Sequence, residues 1–356
     1  MDSEWASLEA KLLAQAARQT EMAARLDSLK VQLQDHSALL RQMEYGRATL
    51  PPDQLVVELR SAALHISESL SVMTAALRQM HRVGPVYMND NRIFLETRRG
   101  LLLLCDSRDL QITPCLMTHR VWEPAMTIAF ERLLKPGQQV LEIGAHIGYF
   151  TTLACALVGH EGRVEAFEPH PRSYELLCAN LRLNHMASVA KTHRQAVTAS
   201  SGAATMFAFT ANAASSTLFS VPLRLLEEFG EQPTEINAPT ISLDEQYRDV
   251  LDRFSFIKIG AEGAESLILQ GGREFLASAI KRDCVVVFEY SPPASQGLGV
   301  KPTAAVEQLA AIGFSLVQMT PDGSLMPVDR MPVDDRRNAQ ILARRGSWPA
   351  SIHQLE

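Results

Sequence analysis

The stretch VLEIGAHIGYFTTLACALVG, residues 140–159, decides the fold. An apolar run leads into Glu142, Gly144 and Gly148, and a helix-forming segment begins near Tyr149–Thr151. Strand, glycine turn and helix in that order open a doubly wound α/β sheet, where ligands bind outside the carboxyl ends of the strands. Glycine in such a turn lets backbone approach a ligand with no Cβ in the way. A tight turn needed only for packing would use the same residues. The spacing E-x-G-x-x-x-G differs from the G-x-G-x-x-G of dinucleotide folds, and Glu142 suits a cationic ligand better than a pyrophosphate.

The next segment downstream, GRVEAFEPHPRSYELL (162–177), places Glu168 at the end of a second strand, with Pro169 and Pro171 shaping the turn into a helix. A carboxylate there can accept both ribose hydroxyls of an adenosyl group, or it can simply cap the helix. A third segment, ISLDEQYRDVLDRFSFIKIGAEGAESLILQGG (241–272), ends a strand in Lys258, Gly260, Glu262, Gly263 and Glu265. Lys258 falls inside a strand expected to be central, where an unpaired charge is costly. Glu262 and Glu265, three apart at an expected helix start, would share a face and favour its positive end. Acidic first turns are also common without function.

Around these segments the chain alternates strand and helix signals. Strands are expected within QQVLEIG (138–144), RVEAFEP (163–169), KTHRQAV (191–197), FSFIKIG (254–260), CVVVFEY (284–290), FSLVQMT (314–320) and AQILARR (339–345). Helices are expected over 171–184 and 262–279. Near-continuous apolar strands separated by helices predict a mostly parallel, seven-stranded Rossmann-like sheet covered on both faces. Upstream, RIFLETRRGLLLLCDSRD (92–109) reads as a hairpin turning at Arg98–Gly100, and EPAMTIAFERLLKPG (123–137) as an amphipathic helix closed by Pro136 and Gly137.

The first 83 residues have a different texture. Met22, Leu26, Leu29, Leu33, His36, Leu40 and Met43 form a heptad seam, and Leu59, Ala63, Ile66, Leu70, Met73, Leu77 and Met80 form a second, with Pro51 and Pro52 between them. Two arrangements fit: a coiled coil between copies of the chain, giving a homo-oligomer, or a helical hairpin within one chain. His36 reads as a polar position that sets register. The expected organisation is a helical extension over 1–83, a catalytic α/β domain over 84–346 and a tail over 347–356.

Of 356 residues, 46% are hydrophobic and 21% charged, enough for a sizeable core, and the net charge of −6 offers no basic field for nucleic acid. Five cysteines without a CxxC pair fit a reducing compartment better than a disulfide framework or zinc site. The N-terminus is acidic where a secretory signal is basic, and the longest apolar runs, such as LLLLC at 101–105, are strand-sized. These features predict a cytoplasmic protein without a membrane span, and no metal constellation is read.

The three segments together resemble the FkbM family of S-adenosylmethionine-dependent methyltransferases, matching its V(D/E)-x-GAxxGxxT, FEP and IKxDxEGxE patterns between about Val86 and Gly346. The lead-in at Ile241–Glu245 and Glu289 on the fifth strand also match. The resemblance implies S-adenosyl-L-methionine as cofactor, held by Glu142, Gly144, Ala145, His146, Gly148, Thr151, Glu168 and Pro169, with Gln195 and Ala196 near the adenine. It implies methylation of a hydroxyl on a saccharide or another glycosylated or lipid-linked acceptor. Gly260 stands where the family has an aspartate, so the general base is open. Glu262 is the first candidate, with His146, Lys258 and Glu265 as further catalytic candidates; His146 could equally be a satisfied loop histidine. Gly260 also supports a rival reading, a methyltransferase fold kept as a binding or scaffold subunit. An NAD-dependent oxidoreductase is disfavoured by the glycine spacing.

Overall fold

The computed structural model describes residues 84–218, 226–227, 230–250, 253–279, 283–320, 324–328, 339–346 and 348. The chain divides into two compact units, 1–83 and 84–356, and all described residues belong to the second. Both heptad runs, and the tail after 346 apart from Trp348, lie outside the described residues.

The unit opens with β1 (Val86–Met88), β2 (Arg92–Glu96) and β3 (Leu102–Asp106), an antiparallel sheet whose second turn falls at Arg98–Gly100 as expected. Helices α1 (Ile112–His119) and α2 (Pro124–Leu133) follow. Then come β4 (Gln139–Ile143), α3 (Tyr149–Val158), β5 (Arg163–Phe167), α4 (Pro171–Leu183) and β6 (Ala190–His193). An excursion forms a second sheet from β7 (Ala196–Val197), β8 (Gly202–Ala208), β9 (Thr217–Leu218) and β10 (Thr234–Ile241), in the order β7-β10-β8-β9. The chain continues through α5 (Leu243–Gln246), β11 (Phe256–Ile259), α6 (Glu265–Gln270), α7 (Arg273–Ala279) and β12 (Val285–Tyr290). It then forms α8 (Pro292–Gly297), α9 (Ala304–Ala311), β13 (Ser315–Met319), β14 (Leu325–Pro327) and β15 (Ala339–Arg344).

The main sheet runs β14-β13-β15-β12-β11-β4-β5-β6. Its five strands from β12 to β6 are parallel, and β15 is antiparallel to both its neighbours. All seven expected segments contain a strand of this sheet, but the count is eight: β14 adds a short antiparallel edge to β13. The chain moves outward from β4 through β5 to β6, then returns to β11, so the order reverses between β4 and β11 and opens a crevice at their carboxyl ends.

Strand alternation sorts the core into two layers. Val140, Val164, Phe256, Val285 and Leu342 face one cluster with α2, α3 and α4, whereas Leu141, Phe167, Ile257, Val286 and Ile341 face the other with α6, α7 and α9. Asn180 of α4 ties the hairpin to the glycine loop. Its Oδ1 accepts from Leu104 N at 2.6 Å, and its Nδ2 donates to Leu104 O at 3.0 Å and Ile147 O at 2.8 Å. Fully buried, this amide leaves no polar atom of the β3 edge unpaired there.

Two expected elements are divided. Within 191–197 the main-sheet strand stops at His193, and Ala196–Val197 pair instead with Thr240–Ile241 of β10. The expected helix over 262–279 starts only at Glu265 and breaks at Gly271–Gly272. A Cβ on Gly271 would lie 2.3 Å from Thr198 O, so the backbone of the neighbouring loop passes too close for any other residue.

Candidate functional site

At the crevice a cavity enclosing about 1000 Å³ of empty space, mouth included, opens over the ends of β4, β5, β11 and β12. Its walls differ in character. Phe167, Val197, Met206, Ala213, Ala214 and Leu218 make one end apolar, because the excursion after β6 folds over the strand ends. Glu123, Glu262, Glu289, Lys258 and Gln340 line the other end.

The glycine loop is shaped mainly by packing. Gly144 has φ 76°, and a Cβ there would lie 1.8 Å from Gly260 O; Gly148 has φ 84°, and a Cβ would lie 2.6 Å from Leu177 Cδ1 on α4. Gly144 lines the cavity, whereas Gly148, Ala145 and Thr151 do not.

Glu168 anchors that loop. Its Oε2 accepts from His146 N at 2.7 Å and its Oε1 from His170 N at 2.8 Å. Each carboxylate oxygen keeps a second lone pair for a ligand hydroxyl. Burial pushes its pKa up to about 7 against the pull of the two backbone N–H groups. Glu168 does not cap the helix, as the sequence also allowed; the cap is His170, whose Nδ1 accepts from Ser173 N at 3.2 Å.

Glu142 is not exposed to the cavity; the sequence places it beside a cation, and that cation belongs to the chain. Lys258 is its register partner on β11, with Nζ 3.7 Å from Glu142 Oε1 and donating to Gly144 O at 2.9 Å. Thr151 Oγ1 donates to Glu142 Oε2 at 2.6 Å. Burial raises the Glu142 pKa, opposed by Lys258 and Thr151. The buried lysine is therefore compensated by a cross-strand carboxylate.

Glu262 and Glu265 do not share a helix face. Glu262 sits in the loop before α6 at φ 47°, lining the cavity. Glu265 begins the helix, turned away from the cavity, and its Oε1 accepts from Ala261 N at 3.0 Å and Gly263 N at 3.4 Å. That makes Glu265 a loop anchor, correcting its expected catalytic place, with burial pushing its pKa up to about 7. Glu262 is raised well above the ordinary range by burial and by Glu289, Glu265 and Glu123.

His146 lines the cavity with two buried ring nitrogens that make no hydrogen bond among the described residues. Burial drives its pKa down to about 3, so the ring is neutral at pH 7 and too weak a proton acceptor for the base role the sequence allowed it. Pro169, Gln195 and Ala196 do line the cavity.

Glu123 carries no functional motif in the sequence. It precedes Pro124 at the start of α2, with a left-handed backbone at φ 42°, and Gln340 Nε2 donates to its Oε2 at 3.1 Å. Nothing local to it signals this position, since it reaches the cavity only through packing across 217 residues.

Residues 142–316 match the family model described as the methyltransferase FkbM domain. This stretch is an FkbM methyltransferase domain. No curated protein matches the chain. Among solved structures the chain is similar to a SAM-dependent O-methyltransferase from Thermotoga maritima, at 12% identity and TM-score 0.36, covering 72% of this chain and 78% of that one. It is also similar to an O-methyltransferase from Bacillus cereus in complex with SAH, at 15% identity and TM-score 0.36, covering 66% and 86%. A third is fibrillarin from Aeropyrum pernix with bound S-adenosyl-L-methionine, at 13% identity and TM-score 0.34, covering 74% and 98%.

Within the FkbM domain, Gly260 occupies the expected aspartate position. A Cβ there would lie 2.9 Å from Lys258 Nζ, so the lysine end fills the space where that side chain would begin. Among the described residues no group of three or more His, Cys, Asp or Glu could hold a metal ion, and no helix is long and apolar enough to cross a membrane.

Proposed function

We propose that this cavity binds S-adenosylmethionine and that the protein methylates a hydroxyl of a saccharide or another glycosylated or lipid-linked acceptor. The observation that carries the reading is the polarity of the cavity: an apolar end beside Glu168 and a carboxylate-lined end above β11 and β12. The apolar end suits an adenine, and Glu168 has lone pairs for two ribose hydroxyls. The two unpartnered ring nitrogens of His146 fit a ligand with polar groups at that wall. When bound, S-adenosylmethionine supplies a methyl group already activated by the sulfonium charge. The chain's part is then to position donor and acceptor in line, with the reacting atoms about 3 Å apart, and to exclude water. At the far end carboxylates accept hydroxyl hydrogens, which suits a polyol acceptor.

Calorimetry with S-adenosylhomocysteine tests the donor site. The wild-type chain binds it, with NAD as the non-binding comparison. Because the ribose needs the ionised form of Glu168, whose pKa is raised to about 7, binding is strong above that pH and weakens as pH falls. From pH 8 to pH 6 the loss is about tenfold, or about 1.4 kcal/mol. Glu168→Gln weakens binding by roughly 1–3 kcal/mol and flattens that pH profile. No binding at any pH sinks the donor reading, and a flat wild-type profile moves the ribose off Glu168.

The scaffold reading keeps one supporting observation, Gly260 in place of the aspartate. It predicts homocysteine-product binding with no labelled methyl passing from donor into any cell-extract fraction. The heptad runs are proposed to make the protein a homo-oligomer. Deleting residues 1–50 then lowers the number of copies per particle found by light scattering, and an unchanged number rejects that role.

A further inference from the structure

We infer that Glu123 is the general base of this site, taking the acceptor's proton in place of the absent aspartate. The inference rests on the methyl-transfer reading above. Four observations carry it. Glu123 lines the carboxylate end of the cavity from α2, outside the 142–316 stretch that matches the family. Its carboxyl is held in one orientation at the cavity wall by Gln340, whose Nε2 donates to Oε2 at 3.1 Å, and by a side-chain hydrogen bond from Trp122. Its backbone is left-handed at φ 42°, a conformation costly for a residue with a Cβ and commonest where function holds it in place. The same cavity presents two buried nitrogens of His146 that have no partner among the described residues, so it is built for a polar ligand rather than for acidic residues alone.

The surroundings poise the group. Burial is the largest influence on Glu123 and raises its pKa to about 7. Lys258 on β11 lowers it, Trp122 donates a hydrogen bond that also lowers it, and Glu289 on β12 and Glu142 on β4 raise it. Glu123 in turn raises Glu262, from the loop after β11. A base near neutrality both holds its charge and accepts a proton readily. Glu262, by contrast, is pushed up by three neighbouring carboxylates and is the member of the group most easily kept protonated. It serves as a hydrogen-bond donor or acceptor to the acceptor molecule. In the step this implies, the acceptor's O–H proton passes to the Glu123 carboxylate. The new oxygen–methyl bond forms as the methyl–sulfur bond breaks, and the electron pair of that bond stays on sulfur.

Sinefungin tests this without knowledge of the acceptor, because it carries an amine where the donor carries its sulfonium methyl. A carboxylate base beside the methyl position attracts that amine. At pH 8, Glu123→Gln in the full chain is expected to bind sinefungin roughly tenfold more weakly than wild type, with S-adenosylhomocysteine affinity unchanged. Retained homocysteine-product binding shows that the variant is folded. Equal sinefungin affinity in variant and wild type overturns the role of Glu123 while leaving the donor site standing. If neither ligand binds the wild type, the methyl-transfer reading itself fails. If sinefungin weakens only with Glu262→Gln, the base is Glu262 instead and Glu123 is not.

Discussion

Gly144→Ala lowers the thermal midpoint by about 10 °C or more, from a loss of roughly 3–5 kcal/mol. Two costs combine. The backbone at Gly144 is left-handed, at φ 76°, and the new Cβ would come 1.8 Å from Gly260 O. That oxygen is backbone at the end of the neighbouring strand, and Gly260 N already donates to Ile143 O at 2.9 Å. Relief therefore requires β4 and β11 to part where the cavity opens. Gly148→Ala has a similar φ of 84°, yet its nearest obstacle is the end of a side chain, Leu177 Cδ1, rather than backbone, so a loss of about 1–3 kcal/mol is expected. Circular-dichroism melts of the two variants check the ranking. A Gly144→Ala protein melting above Gly148→Ala would show that the strand ends separate easily.

Lys258→Met brings a loss that grows with pH. Lys258 is the only lysine or arginine among the described residues lining the cavity, and Glu142 behind it is almost wholly buried. Without the ammonium, the Glu142 carboxylate keeps only Thr151 as a partner. Removing one member of a buried pair costs about 3–5 kcal/mol when the survivor stays charged. Glu142 escapes part of that by protonation, since burial already raises its pKa and Lys258 is the main influence lowering it. A carboxyl raised in the folded state is fully tolerated below its unfolded pKa, and the stability is lost as pH rises through the folded value. The deficit of the variant is therefore about 1 kcal/mol near pH 5 and about 3 kcal/mol or more at pH 8. Urea denaturation of both proteins at the two pH values measures it, and a pH-independent deficit would falsify the pairing of Lys258 with Glu142.

Much of the architecture is legible in the residues. Apolar runs such as VLEI and VVVFEY cannot be exposed, and each lies in the parallel sheet. The hairpin turning at Arg98–Gly100 and the helix opening at Pro171 carry local signals, and both form. The second sheet lacked such signals: β8 opens on the small residues Gly202, Ala203 and Ala204, and β10 contains Pro239, a residue usually evidence against a strand. Pro239 is tolerated because it pairs with Ala203 on one side while β7 reaches only Thr240 and Ile241 on the other. In the site, residue type was informative and direction was not. Lys258 was recognisable as a charge needing a partner, but only the β4–β11 register shows that Glu142 is that partner. Glu262 and Glu265 look alike in sequence, and the left-handed turn at Glu262 and Gly263 sends one to the cavity and the other back to the loop. Glu123 had no motif around it, because its place depends on a contact with the last strand.

That last strand sets the order in which the molecule can be finished. β15 lies between β12 and β13, and β13 meets the rest of the main sheet only through it. While the chain is being made, β12 therefore keeps one edge open and the β13–β14 hairpin has nowhere to dock until residues 339–344 are available. An open central edge is a template for pairing with another chain, and so the interval before β15 arrives is when aggregation competes with folding. The donor end of the cavity is complete before that moment, whereas the carboxylate end, which needs Gln340, closes with the final strand.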